Sequence, residues 1–280
     1  MVRFQFRPDF RWAFRLTLQL AAYLNAFGLI VYLLEKTVRG YHPDWTTPTY
    51  WTALRFATAS LLSCGVVWER ERRREKESWH VAGYWRLPPP GQTLPYLLVL
   101  AGAIIVLSDL NNLVGFLIPL PERYAQLFEQ LIPNPTAALL GAVIIVPIAE
   151  ELVFRGLVLR RLLGTRSATQ AIVLSAILFA LVHVNPWQAI PAFFSGLLFG
   201  WAYVRTRSLG LCIVAHALNN AGAAFSRDFP FVINGFNSGP SPGILQFQPG
   251  WFLWSGVALL VMGVVIFART TSKPAPAFPA

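Results

Sequence analysis

Hydrophobic positions along this chain gather into eight long runs separated by short polar or turn-forming stretches, at Phe14 to Leu34, Pro48 to Trp68, Leu94 to Leu117, Thr136 to Leu159, Ala168 to Val184, Trp187 to Val204, Leu209 to Phe225 and Trp251 to Phe267. Crossing a hydrocarbon core of about 30 Å takes about 20 helical residues, and these runs are of that order. Backbone groups in lipid must be satisfied within the segment, so the runs predict helices. The expected fold class is all-α: a polytopic membrane bundle of about eight transmembrane helices.

Composition strengthens this reading. With 55% hydrophobic and 13% charged residues among 280, the chain has more apolar surface than one soluble domain can bury. No internal repeat or second domain is visible, so residues 1–280 are expected to form a single integral membrane domain, with a disordered tail over 271–280. Cys64 and Cys212 both lie in apolar runs and read as small packing residues. The formal charge of +10 raises nucleic acid as a partner, but its distribution argues for a lipid bilayer and against nucleic acid. With the N-terminus inside, inner segments collect Arg3, Arg7, Arg11, Arg15, the cluster from Arg70 to Lys76, Arg86, Arg160, Arg161, Arg166, Arg205, Arg207, Arg269 and Lys273. Outer segments keep Lys36, Arg39, Arg123 and Arg227. The positive-inside rule therefore places both termini in the cytoplasm. The alternating charges from Glu69 to Glu77 read as a solvated extension of the second helix, and the outer loop from Ser226 to Gly250 reads as turn-rich and mobile.

Against this background the run Pro147-Ile148-Ala149-Glu150-Glu151-Leu152-Val153-Phe154-Arg155 is anomalous. An ionisable side chain near a bilayer centre costs about 2.5 to 3.5 kcal/mol on insertion scales, so three together need partners or a task. Glu151 and Arg155 are four apart with the acid first, the favoured spacing for an ion pair on one helix. Glu150 points about 100° away and lacks a same-face cation, which suits a general base acting on water. Pro147 is expected to kink the helix just before the acids. Two further runs carry polar groups: His183 ends the fifth, and His216 and Asn220 share one face of the seventh. At 1.5 Å per residue, Glu150 and His216 lie roughly 14 to 15 Å from the inner surface, whereas a helix starting at the capping box Ser167-Ala168-Thr169-Gln170 carries His183 roughly 24 Å in. Asp109, with Ser108, Asn111 and Asn112, forms another polar cluster, read as interhelical hydrogen bonding.

Glu-Glu-x-x-x-Arg at 150 to 155, Phe-x-x-x-His ending at His183 and His-x-x-x-Asn at 216 to 220, in that order on separate helices, resemble the CPBP family of intramembrane endopeptidases, the CAAX prenyl endopeptidase, bacteriocin-processing and abortive-infection membrane proteins. The resemblance covers about Asn134 to Phe225, a catalytic core spanning 134–225. It implies a helix bundle with the site towards the cytoplasmic face and hydrolysis of a peptide bond by a glutamate-activated water. Glu150 would take the water's proton, His183 would orient that water, His216 and Asn220 would stabilise the oxyanion, and Glu151 and Arg155 would hold Glu150 in place.

Motifs of other intramembrane proteases are absent: there is no His-Glu-x-x-His, no Gly-x-Ser-Gly and no Gly-x-Gly-Asp. Ser195-Gly196 reads as small-residue helix packing. No cofactor is expected, Asn220 beside His216 suiting an oxyanion better than a metal shell. The alternative is Zn2+ held by Glu150, His183 and His216, a two-histidine, one-glutamate set. A transporter using Glu150, Arg155 and Asp109 as coupling charges is a reading from another class, disfavoured by the lack of repeated halves, and a non-proteolytic scaffold is a third. The expected substrate is a membrane-anchored or lipidated peptide or protein. The expected location is the bacterial cytoplasmic membrane, with the active site towards the cytoplasmic side.

Overall fold

Each apolar run folds as a helical rod. In the computed structural model, which describes residues 10–41, 48–75, 85–123, 125–126, 138–238 and 244–271, these are α1 (Phe10–Tyr41), α2 (Pro48–Glu75), α3 (Pro90–Leu117), α4 (residues 138–162), α5 (Ala168–Leu181), α6 (Pro186–Thr206), α7 (Leu209–Phe225) and α8 (Gly250–Thr270). No strand occurs among the described residues beyond an isolated bridge between Asn234 and Ser238. Three segments, Phe10–Leu34, Pro90–Leu117 and Gly250–Thr270, are long and apolar enough to span a membrane by themselves, while Ala168–Leu181 and Leu209–Phe225 are apolar but shorter. The all-helical class and membrane character expected from the apolar runs therefore hold. Arg3, Arg7, residues 134–137 and the tail from 272 onwards lie outside the described residues.

The helices associate pairwise, α1 with α2, α3 with α8 and α5 with α6, while α4 packs against α2, α5 and α7 at the centre. Lipid tails are as apolar as leucine, so close backbone approach rather than hydrophobic burial drives such contacts. The α3–α8 pair shows this. A Cβ built on Gly256 would lie 2.5 Å from Ile105 Cγ2, and one on Gly263 would lie 2.6 Å from Val99 N. Gly256→Val is therefore expected to force the two helices apart, at about 1–3 kcal/mol. Gly28→Val, where a Cβ would meet nothing within 4 Å, should leave the thermal unfolding midpoint in detergent nearly unchanged.

Local signals in the sequence set several helix ends. Ser167 and Gln170 form the expected reciprocal capping box at the start of α5, satisfying donors that the first turn leaves open. Asn185 caps α6 by accepting a bond from Gln188 N, with Pro186 at its first position. Between α5 and α6 the chain turns sharply, and Val184 takes a left-handed φ of 57°.

Two expectations about polar segments are corrected. The charged extension of α2 is only partly solvated: Arg73 and Glu69 form the exposed i,i+4 pair, but Glu71 is 2% exposed. Its carboxylate accepts from Arg161 Nη1 at 2.9 Å, from Arg70 Nη2 at 3.0 Å and from Trp12 Nε1 at 3.4 Å, tying α1, α2 and α4 together. The segment before α8 is anchored where it is described. Asp109 Oδ1 accepts from Gln248 N at 2.9 Å, and Asn112 Nδ2 donates to Gly235 O at 2.6 Å. Gly235 supplies the positive φ of 76° that this turn needs. Asp109 and Asn112 thus hold this segment to α3, whereas Ser108 and Asn111 of the same cluster line the cavity beside the histidines.

Helix ends segregate by charge. Arg11 and Arg15 of α1, Arg70 and Arg73 of α2, Arg86 before α3, Arg160, Arg161 and Arg166 around the end of α4, Arg205 and Arg207 at the end of α6 and Arg269 of α8 all fall at one end of the bundle. Lys36, Arg39, Arg123 and Arg227 fall at the other.

Candidate functional site

The acids sit on an interruption in α4. Residues Ala138–Ile145 and Leu152–Leu159 are wound as π-helix and flank an α-helical turn, Val146–Glu151. Such underwound stretches often mark functional sites. Pro147 thus acts within an unwinding of the helix and not as the simple kink its position suggests. In an i to i+5 ladder the carbonyl of Ala142 would take its hydrogen from residue 147, and proline has none. Asn220 Nδ2 supplies the missing donor, 2.8 Å from Ala142 O. One hydrogen of that amide is spent on α4, leaving a second.

Glu151 and Arg155 form the ion pair their spacing predicts, at 2.6 Å, and both are fully buried. Arg155 Nη2 also donates to Gly196 O of α6 at 3.2 Å. The guanidinium carbon lies 4.6 Å from the centre of the Phe179 ring and 5.3 Å from that of Phe199, so aromatic faces replace much of the hydration this cation gives up.

His216 stands between the two acids. Its Nδ1 is 2.8 Å from Glu151 Oε1 and its Nε2 is 3.8 Å from Glu150 Oε2. A ring nitrogen held that close to a carboxylate carries the hydrogen, so Glu151 fixes the ring orientation and leaves Nε2 facing Glu150. Phe199 stacks on the imidazole at 5.3 Å and Phe179 meets it edge-on at 5.6 Å. This differs from the assignment suggested by the resemblance, in which Glu151 and Arg155 hold Glu150: here Arg155 holds Glu151, and Glu151 holds His216. Glu150 has no cation on its own face, and its side chain is 15% exposed.

His183 joins this group despite the depth calculated along a straight helix. α5 stops at Leu181, and the turn beyond it brings the ring edge-on to Phe179 at 5.2 Å, with Nδ1 3.0 Å from Phe179 O. A carbonyl only accepts, so Nδ1 carries the hydrogen and Nε2 keeps its lone pair.

A cavity of about 450 Å³ adjoins these groups, and His183, His216, Asn220, Asn219 and Ser195 line it. Glu150 is not among the lining residues, but its Oε2 lies 3.8 Å from Nε2 of His216, which is. Among the described residues, no Asp, Glu, Lys or Arg lines the cavity. Sequence reasoning missed Phe199, Asn219 and the role of Gly196. Gly196 was legible only as a packing residue, and nothing marks Phe199 among the 21 phenylalanines of the chain.

Among the described residues no three His, Cys, Asp or Glu side chains gather into a ligand set, while the bonds that His183 and His216 make engage Nδ1 and leave each Nε2 open, as in a histidine that can ligate a metal.

The cavity mouth is formed by the C-terminal ends of α3, α5 and α7 and the start of α6. This is the end opposite the arginines.

A helical membrane bundle that buries a carboxylate–imidazole pair beside a polar cavity has the parts of an intramembrane hydrolase. Comparison with protein families places the core more closely: residues 132–222 match the model described as type II CAAX prenyl endopeptidase Rce1-like. The match spans 91 of the 280 residues, and its description is that of an enzyme that hydrolyses peptide bonds. No curated protein and no solved structure matched the chain.

Proposed function

We propose that the chain is an intramembrane endopeptidase that cleaves a membrane-anchored peptide with a water activated by Glu150. The observation that carries this reading is the line Arg155–Glu151–His216, which is buried and leads to Glu150. Such an arrangement spends fixed charge on aiming one imidazole at one carboxylate. A purely structural latch would need only the Glu151–Arg155 pair.

In the proposed reaction Glu150 accepts a proton from water while the water oxygen bonds to the scissile carbonyl carbon. His183, with its Nε2 lone pair, accepts from the water's second hydrogen and orients it. The oxyanion takes hydrogen bonds from the remaining Asn220 hydrogen and from His216 Nε2 when that nitrogen is protonated. Glu151 balances the charge the ring then carries. Donors placed this way contribute about 3 to 4 kcal/mol each in other proteases. Collapse of the intermediate breaks the C–N bond, and the amine leaves with the proton that Glu150 took.

The arrangement of apolar runs and charges supports eight membrane crossings, with both termini in the cytoplasm of a bacterial cell. The substrate is a membrane-anchored peptide or protein, lipidated or not. A family member resembling the CAAX endopeptidases need not act on a prenylated chain.

Comparing membrane proteomes of cells with and without the chain tests this directly. Shortened proteins should revert to full length when the chain is lost and shorten again when it is restored. Proteomes without any change in chain length would favour the transporter or scaffold reading. With the purified protein, cleavage of such a substrate is expected to survive a zinc chelator, because no three potential ligand side chains gather among the described residues. Loss of activity that zinc restores would assign the site to a metal.

A further inference from the structure

We propose that Ser195 binds the substrate's backbone, its hydroxyl donating a hydrogen bond to a peptide carbonyl next to the scissile one. This rests on the protease reading above and adds a residue that the chemistry of Glu150, His183, His216 and Asn220 does not use.

The hydroxyl is held in the cavity and left unspent. Ser195 is 6% exposed and lines the cavity with His183, His216 and Asn220. A hydroxyl within a helix commonly returns its hydrogen to a carbonyl of the preceding turn, as Thr17 does to Ala13, Ser63 to Ala59 and Thr206 to Ala202. Ser195 makes no such bond, and its hydroxyl has no protein partner among the described residues. A polar group placed in a cavity and not spent on its own helix is available to what enters.

Its neighbours fix its position. Gly196 packs on α5, where an added Cβ would lie 3.1 Å from Ala176 Cβ, and its carbonyl accepts from Arg155 Nη2 at 3.2 Å. One turn further along α6, Phe199 stacks on His216 at 5.3 Å, and its carbonyl lies 3.4 Å from Cys212 Sγ. Ser195 therefore sits on a stretch of α6 pinned to the same ion pair and imidazole that serve Glu150, as a preorganised binding group requires.

The stack also sets its level. α6 and α7 pack together and run antiparallel, joined by the tight turn at Arg207 and Ser208. Ser195 lies four residues before Phe199, and Asn220 four residues after His216, so both stand about 6 Å from the stack in the same direction. A peptide at that level is flanked by Asn220 of α7 and Ser195 of α6. Successive carbonyls of an extended, pleated chain point to opposite edges. With the scissile carbonyl turned to Asn220 and His216, the carbonyls on either side of it turn towards Ser195. Main-chain bonds of this kind give affinity without regard to substrate side chains.

Steady-state cleavage by Ser195→Ala protein in proteoliposomes, with a membrane-anchored reporter peptide that the unaltered chain cuts, tests this. A bond made equally in the ground state and the transition state alters KM and leaves kcat. KM should rise about 3- to 10-fold, the size of one neutral hydrogen bond, with kcat within about 2-fold and the melting point held. A second arm removes the partner: reporters with a trans-alkene in place of the peptide bond before or after the scissile one lack its carbonyl. One of the two should have a raised KM with the unaltered chain, and Ser195→Ala should cost that reporter nothing more. Losses that multiply for both reporters would mean that hydroxyl and carbonyl do not touch, and would overturn the proposal. A fall in kcat with KM unchanged would also overturn it and move the hydroxyl to the oxyanion. A lowered melting point with KM unchanged would leave Ser195 as a packing residue. The protease reading fails separately: an unaltered chain that cuts no reporter removes that reading and this proposal with it, whereas each of the Ser195 outcomes leaves it standing.

Discussion

Arg155→Leu is expected to destabilise the bundle by about 3–5 kcal/mol, the usual result of stripping one partner from a buried ion pair. Glu151 would then stand as a carboxylate without exposure, in contact with His216 but with no fixed cation beside it. Thermal unfolding in detergent should show a large fall in midpoint for the single variant. Glu151→Gln combined with Arg155→Leu should recover much of it, because the double change removes the uncompensated charge. Arg155→Lys should fall short of full stability. An ammonium group cannot span Glu151 Oε1 and Gly196 O while lying flat between Phe179 and Phe199 as the guanidinium does. If Arg155→Leu melted with the unaltered protein, the pair would not be the buried keystone described here.

The same pair shows what could be read from the chain alone. Its i,i+4 spacing with the acid first is a local property, so the ion pair was legible. The capping box at Ser167 and the apolar periodicity of the rods were legible for the same reason. Contacts made over long separations were not. Glu71 looked like one charge in a solvated ladder because its partner Arg161 lies 90 residues away. Asn220 was placed on the correct face with His216, but its bond to Ala142 depends on the winding of another helix. The π-helical stretches themselves could not be foreseen, since Pro147 is equally compatible with a kink. His183 seemed too deep because depth was counted along a straight helix, whereas α5 ends before it. The bond between Glu151 and His216 was not legible, since spacing within α4 says nothing of where His216 points. The anchored segment at 244–249 was read as loose because its tie, Asp109 to Gln248 N, joins distant parts of the chain.

Glu150→Gln should have the opposite profile, a small change in stability and a large one in rate. Glu150 is partly exposed, and His216 Nε2 at 3.8 Å is within ion-pair range but beyond direct hydrogen bonding. The amide keeps the shape and gives up the proton acceptor, so the loss should be that of a general base, about 10² to 10⁴-fold. Loss of the base and loss of the fold are thereby separated: Arg155→Leu acts through stability, Glu150→Gln through the reaction.

The measurement that bears most directly on the central claim is single-turnover cleavage of a membrane-anchored substrate by purified Glu150→Gln protein in proteoliposomes, with helical content and melting followed on the same sample. A folded variant that has lost about 10² to 10⁴-fold in rate is the predicted result. A folded variant that cuts the peptide at the rate of the unaltered protein would contradict the assignment of Glu150 as the base and, with it, the mechanism proposed for this site.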